Sequence, residues 1–128
     1  MADEKNNGEK KNLSVKDKTI IGFTSKVVVI GTKNEKEVIA RIDTGAETSS
    51  IDMELAADLN LGPILETRFI KSASGQSVRP LIKGKMKIHG KEIEANFTLA
   101  NRSNLKFAVL IGRNILKKGF IVDPDAKL

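Results

Sequence analysis

A short stretch of this sequence carries side chains suited to acid–base chemistry. Residues 40–48 read Ala-Arg-Ile-Asp-Thr-Gly-Ala-Glu-Thr and follow a strand-like apolar run. Asp43 has two interpretations. It is a turn residue that bonds nearby backbone amides, beside a glycine that accepts a positive φ. Alternatively, it is a catalytic carboxylate that a strand delivers, a tight turn exposes and the Thr44 hydroxyl braces.

The catalytic interpretation requires a later strand that crosses beneath the Asp loop. An apolar pair followed by glycine is typical of that strand, and residues 110–114, Leu-Ile-Gly-Arg-Asn, fit this pattern. Between the two elements, residues 68–82 predict a long hairpin with a polar tip, which we call the flap. The tip consists of Ser72, Ala73, Ser74, Gly75 and Gln76.

With these elements in this order, the chain resembles the retroviral-type aspartic proteases, the retropepsins. From Ile20 to Leu128 it is more similar to a retropepsin-like family named for ATP-dependent zinc proteases, often encoded beside or fused to ATP-grasp ligases. The resemblance implies that Asp43 is catalytic and that Thr44, Gly45 and Ala46 continue the active-site loop. It further implies that Thr44 bonds across a twofold axis and that Gly45 offers its backbone to the substrate.

The resemblance also implies a link between the loop and a short C-terminal helix. In the retroviral enzymes, the acid four residues after the catalytic Asp pairs with the Arg of the Gly-Arg-Asn element. Those positions hold Glu47 and Arg113 here. We expect a partly buried ion pair, whose disruption would cost roughly 3 kcal/mol or more because a lone buried charge remains. The alternative is two unrelated surface charges.

A single Asp-Thr-Gly predicts the oligomeric state. Aspartic proteolysis uses two carboxylates that share one proton, one accepting a proton from water while the other donates to the scissile carbonyl. The other aspartates of the globular part, Asp52, Asp58, Asp123 and Asp125, lack the Thr-Gly. An active enzyme is therefore expected to be a twofold homodimer that brings Asp43 of each subunit onto the axis.

The pattern of short β-branched runs between turn residues predicts a mainly β fold. Predicted strands lie at residues 20–22, 27–30, 37–42, 68–71, 77–82, 85–88, 93–99, 107–111 and 120–122, and predicted helices at 53–59 and 113–118. The clearest hairpin turns at His89-Gly90, after which apolar and polar residues alternate. Many short strands with two short helices predict a closed, retropepsin-like β-barrel with one helix after the Asp loop and one near the C-terminus.

Length and composition indicate one domain. The chain has 128 residues, enough to enclose a single core. Residues 1–18 are rich in charged and polar residues and predict a disordered leader, which leaves residues 19–128 as the retropepsin-like domain. No stretch approaches the roughly 20 apolar residues of a membrane span, so we expect no membrane association and a cytoplasmic location.

The sequence predicts no metal and no other cofactor. It has one histidine, His89, and no cysteine, so it lacks the paired His or Cys ligands of zinc sites. It has no glycine-rich Walker loop, so any ATP dependence would come from a partner such as an ATP-grasp ligase. The net charge of +6 favours acidic partners in general, but the absence of Trp and Tyr argues against nucleic acid.

Two functions compete at this point. The first is an aspartic endopeptidase that cleaves an extended peptide or protein between the Asp loop and the flap. The second is a non-catalytic module that keeps the barrel and a peptide-binding groove and serves an ATP-grasp ligase. The intact Asp-Thr-Gly favours catalysis. The flap tip is less glycine-rich than retroviral flaps, so it closes over substrate, binds a more polar substrate or is a plain hairpin tip.

Overall fold

Short β-branched runs form most strands of the protein, which a computed structural model describes for residues 14–73 and 75–128. The strands are β1 (Thr19–Ile21), β2 (Thr24–Ile30), β3 (Glu35–Ile42), β4 (Ser49–Asp52), β5 (Ile64–Ser72), β6 (Gly75–Ile88), β7 (Lys91–Ala100), β8 (Val109–Ile111) and β9 (Phe120–Val122). The helices are α1 (Met53–Asp58), α2 (Arg113–Leu116) and a 3-10 helix at Val15–Asp17.

Six of the described strands close into a barrel. Their order is β2-β3-β8-β4-β7-β6, and β6 pairs back with β2 to complete the ring. Strand β5 pairs with the first part of β6 and extends the sheet as an outer arm, while β1 and β9 form a separate parallel pair. The predicted mainly β closed barrel, with one helix after the Asp loop and one near the C-terminus, is confirmed.

The core lies inside this barrel and consists mainly of Ile, Leu, Val and Ala. Strand β7 shows how the sequence specifies it, because Ile93, Ala95 and Phe97 are buried while Glu92 and Glu94 are exposed. This alternation is the period of two that one buried sheet face requires. Phe97 is 2% exposed and is among the largest buried side chains.

One long strand joins the two hairpins that the sequence predicts as separate units. Strand β6 continues from the flap arm into the barrel wall without a break, where the sequence suggests two strands. Gly84 lies at the junction, opposite Ala95, and a Cβ there would meet ring atoms of Phe97 at 3.2 and 3.3 Å. The predicted turn after β6 is present, with φ of 50° at His89 and 78° at Gly90.

Strand β4 has no counterpart among the predicted strands. All four of its residues are buried, yet three of them are polar, so neither alternation nor apolar content marks them. The hydroxyls find partners inside the sheet, as when Ser50 Oγ donates to Thr98 O at 3.2 Å. Strand β8 is also shorter than the predicted 107–111, because pairing begins at Val109.

The N-terminal part leads into the small parallel sheet. The predicted leader, residues 1–18, falls outside the described residues up to residue 13, and the 3-10 helix follows. Thr19 N then donates to Gly119 O at 2.8 Å, which ties β1 to the chain before β9. The described parts of the chain contain no helix that is both long enough and apolar enough to span a membrane.

Phe97 and Phe69 provide a matched test of this core. Phe97→Ala should lower the free energy of unfolding by about 3–5 kcal/mol, because it leaves a cavity against Gly84. Phe69→Ala should change it by less than about 0.5 kcal/mol, since Phe69 is 73% exposed. Urea denaturation of both variants measures the difference, and equal losses would contradict this assignment of the core.

Candidate active site

The Asp43 loop begins where β3 ends and is held by the strand beside it. Arg41 and Ile42 pair in parallel with Leu110 and Ile111, and Asp43 N donates to Ile111 O at 2.9 Å. Ala46 N then donates to Asp43 O at 3.2 Å, which closes a tight turn. The strand therefore delivers Asp43 to the edge of the barrel.

Within the loop, the Asp43 carboxylate has a fixed orientation. Gly45 N donates to Asp43 Oδ1 at 2.9 Å. Thr44 and Gly45 are exposed and Asp43 is half-buried. The bond satisfies one carboxylate oxygen through a backbone amide, so the group meets solvent in one defined position. This local bond is ordinary Asp turn chemistry.

The chain at Gly112 passes directly beneath this loop. A Cβ at Gly112 would lie 2.8 Å from Ala46 O and 3.0 Å from Thr48 O, both backbone atoms that cannot move aside. The next residue continues the contact, since Arg113 N donates to Ala46 O at 2.8 Å. Only glycine permits this approach. The predicted crossing of the late strand beneath the Asp loop is therefore present.

Asn114 fastens the crossing to the barrel. Its Oδ1 accepts from Ser49 N at 2.9 Å and from Ser49 Oγ at 2.7 Å, and its Nδ2 donates to Asn96 O at 2.8 Å. Ser49 Oγ in turn accepts from Gly112 N at 2.8 Å. Sequence reasoning singled out the Gly-Arg-Asn element but missed Ser49 and Asn96, because only the fold brings them together.

Asp52 is buried, and both oxygens of its carboxylate accept hydrogen bonds from backbone amides. Oδ2 accepts from Leu55 N at 3.3 Å, the N-cap bond of α1. Oδ1 accepts from Arg102 N at 2.7 Å. Asp52 thus explains why a helix starts directly after β4, and its role is structural.

The prediction of a partly buried Glu47–Arg113 ion pair is wrong. Both side chains are exposed, and the ion pair found within the described residues joins Arg68 to Glu66. Arg113 Nη1 instead donates to Thr44 O at 3.0 Å. Because Arg113 N already bonds Ala46 O, the guanidinium reaches the loop backbone at the turn. The link between loop and helix exists, but carbonyl oxygens make it.

A cleft of about 680 Å³ separates the Asp43 loop from the β5–β6 hairpin. Two acidic residues line it, Asp43 and Glu47. Five cationic residues line it as well, namely Arg68, Lys71, Arg79, Arg102 and Arg113. The cleft therefore carries an excess of positive charge, which favours a negatively charged occupant.

The hairpin contributes to the cleft through its arms. Arg68, Phe69, Ile70 and Lys71 come from β5, and Arg79 comes from β6. The predicted flap tip, residues 72–76, coincides with the turn between the two strands: β5 ends at Ser72 and β6 begins at Gly75. Ala73 is exposed, and Ser74 lies outside the described residues.

Arg102 is the most perturbed charged group of the cleft. Its Nε donates to Phe107 O at 2.8 Å. Partial burial lowers the pKa of its guanidinium, and the charges of Arg79 and Arg41 lower it further, while Asp52 and Asp43 raise it. Arg102 is therefore near enough to Arg79 and Arg41 for its guanidinium to experience their positive charges.

The described residues contain no group of three His, Cys, Asp or Glu side chains that could hold a metal ion. His89 lies in the exposed turn between β6 and β7.

The barrel, the Asp43 loop and the crossing at Gly112 define a retropepsin-like domain. A family model described as RimB-like, "Retropepsin-like aspartic endopeptidase RimB", matches residues 53–128, more than half of the chain. The protein belongs to this family, which confirms the resemblance inferred from the sequence. The matched region contains the crossing element and begins after the Asp43 loop.

Two curated relatives carry a different name. Both are called "Probable alpha-L-glutamate ligase", one from Desulfotalea psychrophila and one from Shewanella pealeana. Each is 30% identical to this chain, over 66% and 67% of its length respectively. The chain spans 24% of each relative, so most of their length has no counterpart here.

Solved structures share the fold at low identity. A Legionella pneumophila protein of unknown function superposes with a TM-score of 0.61 at 19% identity, covering 86% of this chain and 96% of that one. The simian foamy virus protease superposes with a TM-score of 0.54 at 17% identity, covering 73% of this chain and 91% of that one. These similarities establish the architecture alone.

The corrected role of Arg113 leads to a stability prediction. Arg113→Ala should lower the free energy of unfolding by about 1 kcal/mol, since an exposed bond to a carbonyl is lost. Glu47→Ala should change it by less than about 0.5 kcal/mol. Denaturant titrations of both single variants and the double variant measure this. Decreases near 3 kcal/mol in the free energy of unfolding, with strong coupling between the two sites, would support the predicted ion pair after all.

Proposed function

We propose that this protein is an aspartic endopeptidase that works as a homodimer, with one Asp43 from each subunit. The observation that carries the proposal is the position of Asp43, oriented by Gly45 N at 2.9 Å at one wall of a cleft whose other wall is the β5–β6 hairpin. A peptide in this cleft would lie between the carboxylate and the flap arms.

The proposed reaction follows from two carboxylates that share one proton. The ionised Asp43 takes a proton from water, whose oxygen attacks the peptide carbonyl carbon, while the protonated Asp43 donates to the carbonyl oxygen. The resulting intermediate loses its C–N bond, the amine leaves with a proton, and a carboxylic acid remains. Both carboxyl groups return to one shared proton, so no other reactant is needed.

The surface around the loop supports the homodimer. Phe23, Thr44 and Phe107 line a second hollow of about 470 Å³ that also reaches Asp43. Phe23 is 57% exposed, and an apolar ring at the edge of a site that lacks its second carboxylate suits contact with another subunit. In the proposed dimer, Thr44 bonds its symmetry copy and Gly45 presents its backbone to the substrate.

The charge of the cleft supports an acidic peptide as substrate. Five cationic side chains against two acidic ones would attract and orient carboxylates. The relatives' name, which refers to glutamate ligation, is consistent with a substrate that contains glutamate.

A second candidate is a non-catalytic module that partners an ATP-grasp ligase. It is favoured by the relatives in which a similar sequence makes up 24% of proteins named as glutamate ligases. In this case the cleft would bind a peptide without cleaving it.

Cleavage of a diverse peptide library, read by mass spectrometry from about pH 4 to 7.5, separates the two candidates. Wild-type protein should cleave, and Asp43→Asn should lower kcat/KM at least about a hundredfold, because the variant cannot accept the proton from water. Asp58→Asn is the matched control, since Asp58 is exposed on α1. Binding without cleavage would favour the non-catalytic module. Equal cleavage by all three proteins would show that Asp43 is not the catalytic residue.

Subunit mixing tests the shared site. When wild type is mixed with an equal amount of Asp43→Asn and allowed to exchange, about one quarter of the dimers keep two Asp43 residues, so activity should be about one quarter of that of wild type alone at the same total protein concentration. A site confined to one subunit would retain about one half. Mixing with Asp58→Asn should cause no loss. A protein that sediments as a monomer across a wide concentration range while cleaving peptides would contradict the dimer.

A further inference from the structure

Three arginines from different elements of the fold line the two spaces that share Asp43. Arg79 on β6 and Arg102 after β7 line the main cleft together with Asp43. Arg41, two residues before Asp43 on β3, lines the second hollow, which Asp43 also reaches. Asp43 is thus the residue common to both spaces.

The structure holds Arg102 in place for this role. Its backbone N donates to Asp52 Oδ1 at 2.7 Å and its Nε donates to Phe107 O at 2.8 Å. These two bonds hold the backbone of Arg102 and the Nε of its guanidinium group. Within the described residues, the hydrogen bond of its guanidinium is the one from Nε. The two terminal nitrogens therefore keep their donors for a ligand.

Among the residues described, none of Arg41, Arg79 and Arg102 has an acidic group at ion-pair distance. The nearby acids are Asp43 and Asp52, whose charges raise the pKa of Arg102, but Asp52 already accepts two backbone amides. Placing like charges together around a half-buried guanidinium costs free energy, which a bound anion would offset.

We propose that Arg41, Arg79 and Arg102 form a carboxylate-binding subsite beside Asp43, which holds one carboxylate of the peptide substrate. The inference rests on the proposed endopeptidase function and adds a specific position to it. Guanidinium groups bind carboxylates through two parallel N–H donors, which fixes distance and direction as well as charge. The subsite would therefore set the register of the peptide, so that the cleaved bond lies at a constant distance from one acidic group.

The carboxylate has two possible sources, a Glu or Asp side chain and the C-terminus of the peptide. Synthetic decapeptides with a neutral background separate them. One Glu is moved through every position, each peptide is paired with its Gln counterpart, and each pair is made as a free acid and as a C-terminal amide. We expect kcat/KM to rise about tenfold for Glu over Gln at one position relative to the cleaved bond. A rise that depends on the free C-terminus would identify that carboxylate as the ligand.

Arg79→Gln and Arg102→Gln test the assignment. Each should reduce the Glu-to-Gln ratio of kcat/KM at that position at least about fivefold, whereas Lys36→Gln, an exposed cation on β3 outside the cleft, should leave the ratio unchanged. Arg102→Lys keeps the positive charge but removes the two parallel N–H donors of the guanidinium group. It should retain part of the preference for Glu, which distinguishes the loss of these donors from misfolding. A ratio near one in wild type, or one that the cleft variants leave intact, would overturn the subsite.

A binding measurement keeps this inference separate from catalysis. If wild type cleaves none of the peptides, the endopeptidase proposal fails, and fluorescein-labelled members of each Glu and Gln pair are titrated by fluorescence anisotropy. Tighter binding of the Glu peptide, about tenfold and lost in Arg79→Gln, would support the subsite without catalysis. Equal affinities for the pair would overturn it.

Discussion

The close passage of Gly112 beneath the Asp43 loop is the constraint on which the rest of the site depends. Backbone oxygens of Ala46 and Thr48 occupy the space where a side chain would begin, so two chain segments far apart in sequence are in direct contact. Asn114 then ties the crossing to β4 and β7 through Ser49 and Asn96. With its floor fixed, the loop presents Asp43 in one orientation through the bond from Gly45 N.

The same crossing explains why α2 needs no buried ion pair. Backbone amides at its start bond loop carbonyls, and the Arg113 guanidinium adds a bond to Thr44 O. Carbonyl oxygens accept these donors without the desolvation of a carboxylate. Glu47 is thereby left exposed in the cleft, where its negative charge partly offsets the surrounding arginines. Glu47 and Arg113 therefore occupy the positions of the expected ion pair without forming it in the structure.

The sequence predicted those parts of the fold that local patterns determine. The alternation in β7, the turn at His89-Gly90 and the helix after Asp52 follow from the side-chain period, the turn residues, and helical propensity ended by Gly62-Pro63. Strand β4 was not predicted, because Ser49, Ser50 and Asp52 are polar. Their burial depends on hydrogen-bond partners from distant parts of the sequence. The Asp43 loop and the crossing were predictable from two short motifs. The proposed subsite of Arg41, Arg79 and Arg102 was not, because these residues come from three separate segments and line spaces that only the fold creates beside Asp43.

The two walls of this site differ in how firmly they are held. Hydrogen bonds to backbone atoms fix Asp43, Asp52 and the start of α2, whereas much of the hairpin that forms the other wall is exposed, with Phe69 73% and Val78 57% accessible. Local stability follows buried contacts, so we expect the hairpin to yield before the loop when a ligand enters. A single chain thus supplies one oriented carboxylate, an electropositive cleft and an adaptable wall. In the proposed homodimer, twofold symmetry would supply a second Asp43 and would also duplicate the arginines on the opposite side of the cleaved bond.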